Sequence, residues 1–179
     1  MRYIYLIIAS MSFVIGCKQE EINTENNNNI SENSIMPSEK YNWGSYDLNN
    51  TFGELLFVPI YSSVYHQNDR TFHLTATLSI HNTDINSKIT LLKIDYYDTN
   101  GKLVSEFINE KIILNPLQTK QFIIKETDIT GGTAAKFVIM WAADKQVVKP
   151  FIEAVMISTS SQQGISFKTE SRVISSIGY

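Results

Sequence analysis

The clearest pattern in the chain is an unbroken alternation of hydrophobic and polar residues over positions 71–80. One side of this segment is apolar, and the other carries only hydroxyl and imidazole groups. The apolar set is Phe72, Leu74, Ala76, Leu78 and Ile80. A period of two residues predicts a β-strand with one buried face. Short apolar runs predict further strands at 53–61, 88–97, 102–108, 120–126, 135–141, 151–159 and 164–169.

Turn-forming residues separate these runs. Asn100-Gly101 is typical of a tight hairpin, because both residues tolerate positive φ, and Asn115-Pro116 and Gly131-Gly132 mark further corners. The chain shows no clear helical period of three to four residues. The pattern therefore predicts an all-β fold, an immunoglobulin-like antiparallel β-sandwich of about 7–8 strands, with a β-barrel as the alternative.

The N-terminus has the features of a bacterial lipoprotein signal peptide. Arg2 is followed by residues 3–16, which carry no charge. As a helix this run reaches about 21 Å, which is short of the roughly 30 Å hydrocarbon core of a membrane. The run ends in Val14-Ile15-Gly16-Cys17, which resembles the lipobox in which the cysteine thiol receives a diacylglycerol. We expect a signal peptide over residues 1–16 and lipid attachment at Cys17.

A polar segment follows the cysteine. It is rich in Asn, Glu and Ser and cannot bury enough apolar surface to offset the entropy of ordering it. We assign residues 17–44 to the lipidated cysteine and a flexible polar linker, and residues 45–179 to the β-sandwich domain. The residues after Cys17, Lys18-Gln19-Glu20-Glu21, resemble an acidic signal that sends some Bacteroidetes lipoproteins to the cell surface; an ordinary polar linker is the alternative.

The expected location follows from this anchor. The lipid chains should hold the protein stably in the membrane of the bacterial cell envelope. We expect the outer membrane, on its periplasmic or cell-surface side.

Charge is placed unevenly along the chain. Residues 18–40 hold five acids and two lysines, a net charge of −3, whereas residues 41–179 hold thirteen acids and twelve bases, a net charge of −1. A nearly neutral domain lacks the basic surface of a nucleic-acid-binding protein, so no nucleic-acid partner is expected. With Cys17 as its one cysteine, the chain cannot form an internal disulfide, and burial has to hold the sheets together. Trp141 is the expected core aromatic.

Five blocks of the domain carry specific sequence patterns: PIYSSVY at 59–65, HLTATLSIHNT at 73–83, YYDTNGKLV at 96–104, GGTAAKFVIMW at 131–141 and EAVMISTSSQQGISF at 153–167. Together they resemble the domain-of-unknown-function 3124 family of bacterial lipoproteins. The resemblance covers most of residues 53–174. It implies an exported, lipid-anchored protein and no particular activity, because the family has no assigned function.

The densest group of polar and aromatic residues surrounds a predicted turn. We take it as the candidate ligand-binding loop, made of Tyr61, Tyr65, His66, Asp69, Arg70 and His73. Its imidazoles and carboxylate are donors of the kind that zinc prefers, although no metal site is assigned. The alternative is an ordinary hairpin, because Gln67-Asn68-Asp69 is turn-forming and Arg70 can pair locally.

Three other patterns are weaker. Asp84, Asp95 and Asp98 lack the spacing of a calcium-binding loop, and Gly131-Gly132 lacks the flanking pattern of a phosphate-binding loop. Ser62 and Ser63 near His66 have no identifiable orienting acid, and no G-x-S-x-G motif is present. We therefore predict no catalytic residues and no cofactor.

These observations favour a non-enzymatic binding or structural module of the cell envelope. Its partner would be an envelope protein or a glycan. The alternative is a metal-dependent or hydrolytic envelope enzyme that uses the loop from Tyr61 to His73.

Overall fold

A computed structural model describes residues 37–45, 50–159 and 164–179 of the chain. The predicted signal peptide, Cys17 and most of the predicted linker lie outside these residues, so those assignments stay predictions. Strands make up most of the described part, and its helices are short: α1 (Pro37–Lys40) and two single 3₁₀ turns at Trp43–Ser45 and Gly132–Ala134. None of these helices has the length and apolar character needed to cross a membrane.

The described part of the chain contains twelve strands, most of which begin or end within two residues of an apolar run. In chain order they are β1 (Phe52–Ile60), β2 (Ser63–His66), β3 (Arg70–His73), β4 (Thr75–His81), β5 (Ile89–Tyr97), β6 (Leu103–Glu106), β7 (Ile112–Leu114), β8 (Thr119–Ile124), β9 (Ala135–Ala143), β10 (Phe151–Ser158), β11 (Ile165–Glu170) and β12 (Arg172–Ile177).

The strands form two large sheets and one small hairpin sheet. The six-stranded sheet has the order β12-β1-β9-β5-β6, with β7 also paired to β5. The four-stranded sheet has the order β11-β10-β4-β8, and β2 and β3 pair with each other. Every pairing is antiparallel. The predicted all-β antiparallel sandwich is therefore confirmed.

The core lies between the inner faces of the two large sheets. It is built from alternate residues of each strand, such as Val58, Phe137 and Ile139 on the six-stranded sheet and Leu78 and Ala154 on the four-stranded sheet, all fully buried. Trp141 belongs to the same cluster with 0 % of its surface exposed, as the sequence predicted. Because side chains on a strand alternate, the intervening residues point away from the core and form two outer faces.

The predicted single strand at 71–80 is two strands, β3 and β4, which end and begin on either side of Leu74. Leu74 is buried and donates its backbone N–H to the carbonyl of Ser62 at 2.9 Å, so the chain leaves the hairpin sheet there and enters the four-stranded sheet. Its side chain keeps the alternation in phase, which is why the break left no mark on the pattern. Strands β2, β7 and β12 were also not predicted, since they are short or exposed.

The predicted linker extended to residue 44, but its last part is packed against the domain. We call residues 37–45 the strap. Tyr41 is 8 % exposed and belongs to a second apolar cluster with Leu55, Tyr97 and Met140, and Trp43 packs at its margin. The folded body therefore includes the strap, because these aromatic rings bury their surface on the outer face of the six-stranded sheet.

Candidate functional site

The candidate loop from Tyr61 to His73 folds as the β2–β3 hairpin. Its turn places Gln67 at φ 44° and Asn68 at φ 72°, a left-handed conformation that Asn adopts more readily than most residues. The register pairs Ser63 with His73 and His66 with Arg70. The turn alternative that the sequence left open describes this local structure well.

The two histidines of the loop point to opposite faces of the hairpin. Ser63 and His66 are three residues apart on one strand, so their side chains, and those of their cross-strand partners, lie on opposite sides. His66 stacks on Phe72 with ring centroids 3.8 Å apart, whereas His73 is exposed on the other face. The hairpin therefore does not bring both imidazoles to one metal ion.

The other members of the candidate loop also diverge. Tyr61 packs against Phe167 with ring centroids 5.8 Å apart, while Tyr65 is 66 % exposed on the hairpin. Asp69 and Arg70 are exposed next to the turn. Within residues 37–45, 50–159 and 164–179, no three His, Cys, Asp or Glu side chains are grouped as a metal site. Ligand binding by this loop stays a prediction. The six side chains do not converge on one pocket.

The three aspartates considered for calcium are each engaged in separate local structures. Asp84 accepts hydrogen bonds from the backbone N–H groups of Asn86, Ser87 and Val148, and the bond from Val148 is the main cause of its lowered pKa. Asp98 accepts from two amides of its own turn, at 2.9 and 2.8 Å. Asp95 lies beneath the strap. Each carboxylate therefore fastens a different part of the backbone or strap.

The corner at Gly131-Gly132 is used for packing. A Cβ on Gly131 would lie 1.8 Å from the hydroxyl oxygen of Tyr96, so only glycine fits there. Ser62 is buried and donates its hydroxyl hydrogen to the carbonyl of Gly132 at 2.9 Å. The serine therefore links the β2 strand to this corner.

A buried carboxylate lies where the strap meets the six-stranded sheet. Asp95 on β5 is 2 % exposed and stands directly across from Glu106 on β6. Two carboxylates in such a cross-strand pair repel each other. The ammonium group of Lys40 lies between them, 3.0 Å from Asp95 and 2.5 Å from Glu106. The strap thus supplies the cation that this pair requires.

Tyr41 completes the cluster from the apolar side. Its hydroxyl donates to the Asp95 carboxylate at 2.6 Å, and its oxygen lies 2.8 Å from that of Tyr97. Because the hydroxyl hydrogen of Tyr41 is used in the bond to Asp95, the hydroxyl of Tyr97 is the donor in the bond between the two tyrosines. The carboxylate of Asp95 is therefore held by Lys40 and Tyr41 together, which satisfies the rule that a buried charge is paired and hydrogen-bonded.

The ionisation of the cluster reflects these contacts. Burial, and then the hydrogen bonds to Asp95 and Tyr97, raise the pKa of Tyr41 well above its usual 10.0. Burial lowers the pKa of Lys40, but the bonds to Glu106 and Asp95 outweigh it and hold the pKa above 10.5. The same bond from Lys40 lowers the pKa of Glu106 below its usual 4.5. These shifts keep Lys40 as an ammonium and Glu106 as a carboxylate at neutral pH.

Sequence reasoning did not find this cluster, because Lys40 and Tyr41 lie in a segment that reads as linker. One signal was available: Tyr41 and Trp43 are the first aromatic residues after Cys17. The structure adds the role of Gly53, which the sequence alone does not indicate. A Cβ there would lie 3.0 Å from the Trp43 ring and 2.3 Å from the backbone oxygen of Trp141, so the glycine allows the strap to approach β1.

A shallow cleft of about 330 Å³ lies beside the strap on the same outer face. Its lining residues are Thr51, Thr90, Leu92, Lys111, Ile113, Ala142, Ala143 and Asp144. The volume is at the lower end of the range for small-molecule sites. Leu92 also borders the apolar cluster under Tyr41, so the cleft and the strap share one surface.

The outer face of the four-stranded sheet has a different character. It carries hydroxyl and aliphatic side chains such as Thr77, Ser79 and Val155, together with Ile123, Phe151 and Ile157, which are 58, 40 and 45 % exposed. The charged residues of this face are Glu153, Lys168 and Glu170, which lie together at the β11 side. No described segment covers it as the strap covers the other sheet.

Comparison with known proteins gives a family and no activity. No curated protein matches the chain. Among solved structures, the crystal structure of Thermotoga maritima 1070 is similar at 12 % sequence identity and a TM-score of 0.42, over 66 % of this chain and 92 % of that one, a likeness too low to support any conclusion. The family model described as a protein of unknown function, DUF3124, matches residues 53–174. This range spans β1 to β12 and more than half of the sequence, so the chain belongs to the DUF3124 family.

Proposed function

We propose that this chain is a lipid-anchored protein of the bacterial cell envelope that acts as a binding or structural module rather than as an enzyme. The sequence supports the anchor through the lipobox pattern that ends at Cys17. The observation that carries the proposal is the contrast between the two outer faces. One face holds the segment that leads to the anchor, and the other offers hydroxyl and aliphatic groups to a partner.

The strap supports this arrangement physically. A segment joined to a membrane anchor transmits force to the domain, and the Lys40 and Tyr41 bonds to Asp95 attach that segment to β5, the strand next to the edge strand β6. The outer face of the six-stranded sheet therefore holds the segment that leads to the proposed anchor. The uncovered face of the four-stranded sheet is low in charge and contains exposed Phe and Ile side chains, as protein-binding surfaces commonly do.

Metabolic labelling with a palmitate analogue tests the anchor. The wild-type chain should be labelled and recovered with membranes, and Cys17→Ser should lose both properties. The matched control is Cys17→Ser/Ser31→Cys, which restores a thiol outside the lipobox and should stay unlabelled. Membrane retention and labelling of Cys17→Ser to the wild-type level would overturn the proposal.

A further inference from the structure

The outer face of the four-stranded sheet is organised in cross-strand rows that follow from its register. Four rows cross the strands, from one end of β10 to the other. They are Phe151–His81–Thr119, then Glu170–Glu153–Ser79–Gln121, then Lys168–Val155–Thr77–Ile123, and then Ser166–Ile157–Thr75. The first and fourth rows each carry one exposed apolar side chain on β10, Phe151 and Ile157. The middle rows carry all the charges, with acids in the second row and Lys168 in the third.

We propose that this face binds the same face of a second copy of the chain, around a twofold axis that runs across the strands. Such an axis reverses the order of the rows. The second row of one copy then faces the third row of the other, and the first row faces the fourth. Each copy contributes the same patch, as a closed dimer interface requires.

Charge complementarity supports this particular axis. The rotation keeps β11 opposite β11, so Glu170 of one copy faces Lys168 of the second copy, and the pair occurs twice. A twofold axis along the strands would instead place the β11 charges opposite β8, whose outward residues in the middle rows are Gln121 and Ile123. The first arrangement places Lys168 opposite an acid of the second copy, and the second arrangement does not.

The apolar and hydroxyl groups match under the same rotation. Phe151 of one copy faces Ile157 of the second copy, and Ser79 faces Thr77. Branched and hydroxyl side chains of this size suit face-to-face packing of sheets about 10 Å apart. The remaining charge of the middle rows, Glu153 on β10, faces Val155 of the second copy and stays paired with Lys168 of its own copy at 3.5 Å.

The size of the face predicts a weak dimer. Four strands about 4.8 Å apart and about seven residues long give a patch of roughly 450 Å², below the roughly 800 Å² per partner of a standard interface. Association should therefore depend on confinement. Copies that are anchored in one membrane meet at a high effective concentration. This part of the argument rests on the proposed function, whereas the charge matching does not.

Cross-linking in isolated membranes tests the contact. One full-length copy carries Phe151→Cys and a first tag, and the second copy carries Ile157→Cys and a different tag. Membranes that contain both copies are treated with a short bismaleimide. The expected product joins the two tags. The matched control carries Val104→Cys on both copies, a position that is 37 % exposed on β6 of the other sheet, and should give no such product. Equal yields from both pairs would overturn the proposal.

A charge exchange identifies the twofold axis. Lys168→Glu alone and Glu170→Lys alone place like charges opposite each other twice, so each should lower the cross-linked yield by roughly fivefold. Co-expression of the two variants restores two opposite-charge pairs between copies, although the side chains at positions 168 and 170 of each single copy carry like charges. The mixed yield should return to the wild-type level, and a mixed yield no better than either variant alone would contradict the axis.

The parent chain without an added cysteine separates this proposal from the previous one. An acylated Cys17 has no free thiol, so the parent should not react with the bismaleimide. If the parent cross-links, the lipid anchor is absent. The pairing of Phe151→Cys with Ile157→Cys can then be scored in a Cys17→Ser background.

Discussion

The two outer faces of the sandwich start from the same strand alternation and have opposite surroundings. On the six-stranded sheet, Asp95, Tyr97 and Met140 point outward and are nevertheless buried, because the strap lies over them. On the four-stranded sheet, Ile123, Phe151 and Ile157 point outward and remain exposed. The comparison teaches that a strand pattern fixes which residues point away from the core, while a separate segment decides whether they meet water.

The chemistry of the two faces agrees with this difference. The covered face contains a buried carboxylate that needs Lys40 and Tyr41. The open face carries hydroxyl and aliphatic groups, and its charged residues, Glu153, Lys168 and Glu170, are paired with one another. The following variants are expected to separate the faces by the size of their effect.

The largest effect is expected from Tyr41→Ala. The change removes a buried ring and the donor to Asp95, so the free energy of unfolding should fall by about 3 kcal/mol. Chemical denaturation measures it, and hydrogen exchange should show loss of protection in residues 37–45. Thr77→Ala on the open face is the matched control and should change stability by less than about 0.5 kcal/mol. Similar losses for both variants would contradict the assigned role of the strap.

A smaller loss is expected from Gly53→Ala. The added Cβ meets the backbone oxygen of Trp141 and the Trp43 ring, so β1 or the strap has to move. Overpacking of this kind costs about 1–3 kcal/mol. Denaturation again provides the measurement. Gly101→Ala is a useful comparison, because nothing lies within 4 Å of its Cβ and only the positive φ of 83° opposes it.

The contacts of the strap should also depend on pH. The lowered pKa of Glu106 means that its contribution is present above about pH 4.5 and is lost as the pH falls through its folded-state pKa. The raised pKa of Lys40 means that its contribution is present below about pH 10.5 and is lost above its folded-state pKa.

The indole N–H signal of Trp43, which donates to Ser175 at 3.3 Å, reports on docking of the strap in NMR spectra. The signal should shift at both ends of the pH range and stay constant between them. In Lys40→Met the alkaline transition should be absent. An alkaline transition of unchanged size in that variant would show that it does not arise from Lys40.

The smallest effect on stability is expected from Ile157→Lys. The side chain is 45 % exposed, so the free energy of unfolding should change by less than about 0.5 kcal/mol. The same variant places a charge in the proposed dimer interface and should reduce cross-linking between copies. A stability loss as large as that of Tyr41→Ala would show that this face is covered within one chain.

The sequence predicted the parts of the fold that depend on local pattern. The run at 88–97 is β5 (Ile89–Tyr97) and the run at 135–141 is β9 (Ala135–Ala143), because short apolar runs next to turn-forming residues are typical of buried strands. The break at Leu74 could not be seen in the sequence, because Leu74 is buried where the chain changes sheet and the alternation continues through it. Strand β12 carries exposed Val173 and Ile174 and has no contrast between its faces.

The candidate site was harder to predict for a physical reason. Tyr65, His66, Asp69 and His73 are close in sequence, but the alternation of a hairpin sends neighbouring residues to opposite faces. Conversely, Lys40 and Asp95 are far apart in sequence and meet only through the tertiary fold. The strap is too short to be ordered by itself and gains its order from the sheet on which it packs. Its composition alone is therefore typical of a linker.

The most direct test of the contrast between the faces is the reactivity of two introduced thiols. Met140→Cys lies under the strap at a position that is 1 % exposed, and Ile157→Cys lies on the open face. With a small maleimide, the thiol at position 140 should react far more slowly than the thiol at position 157, and adding Tyr41→Ala should accelerate only the former. Equal rates at the two positions, or no response to Tyr41→Ala, would contradict the account.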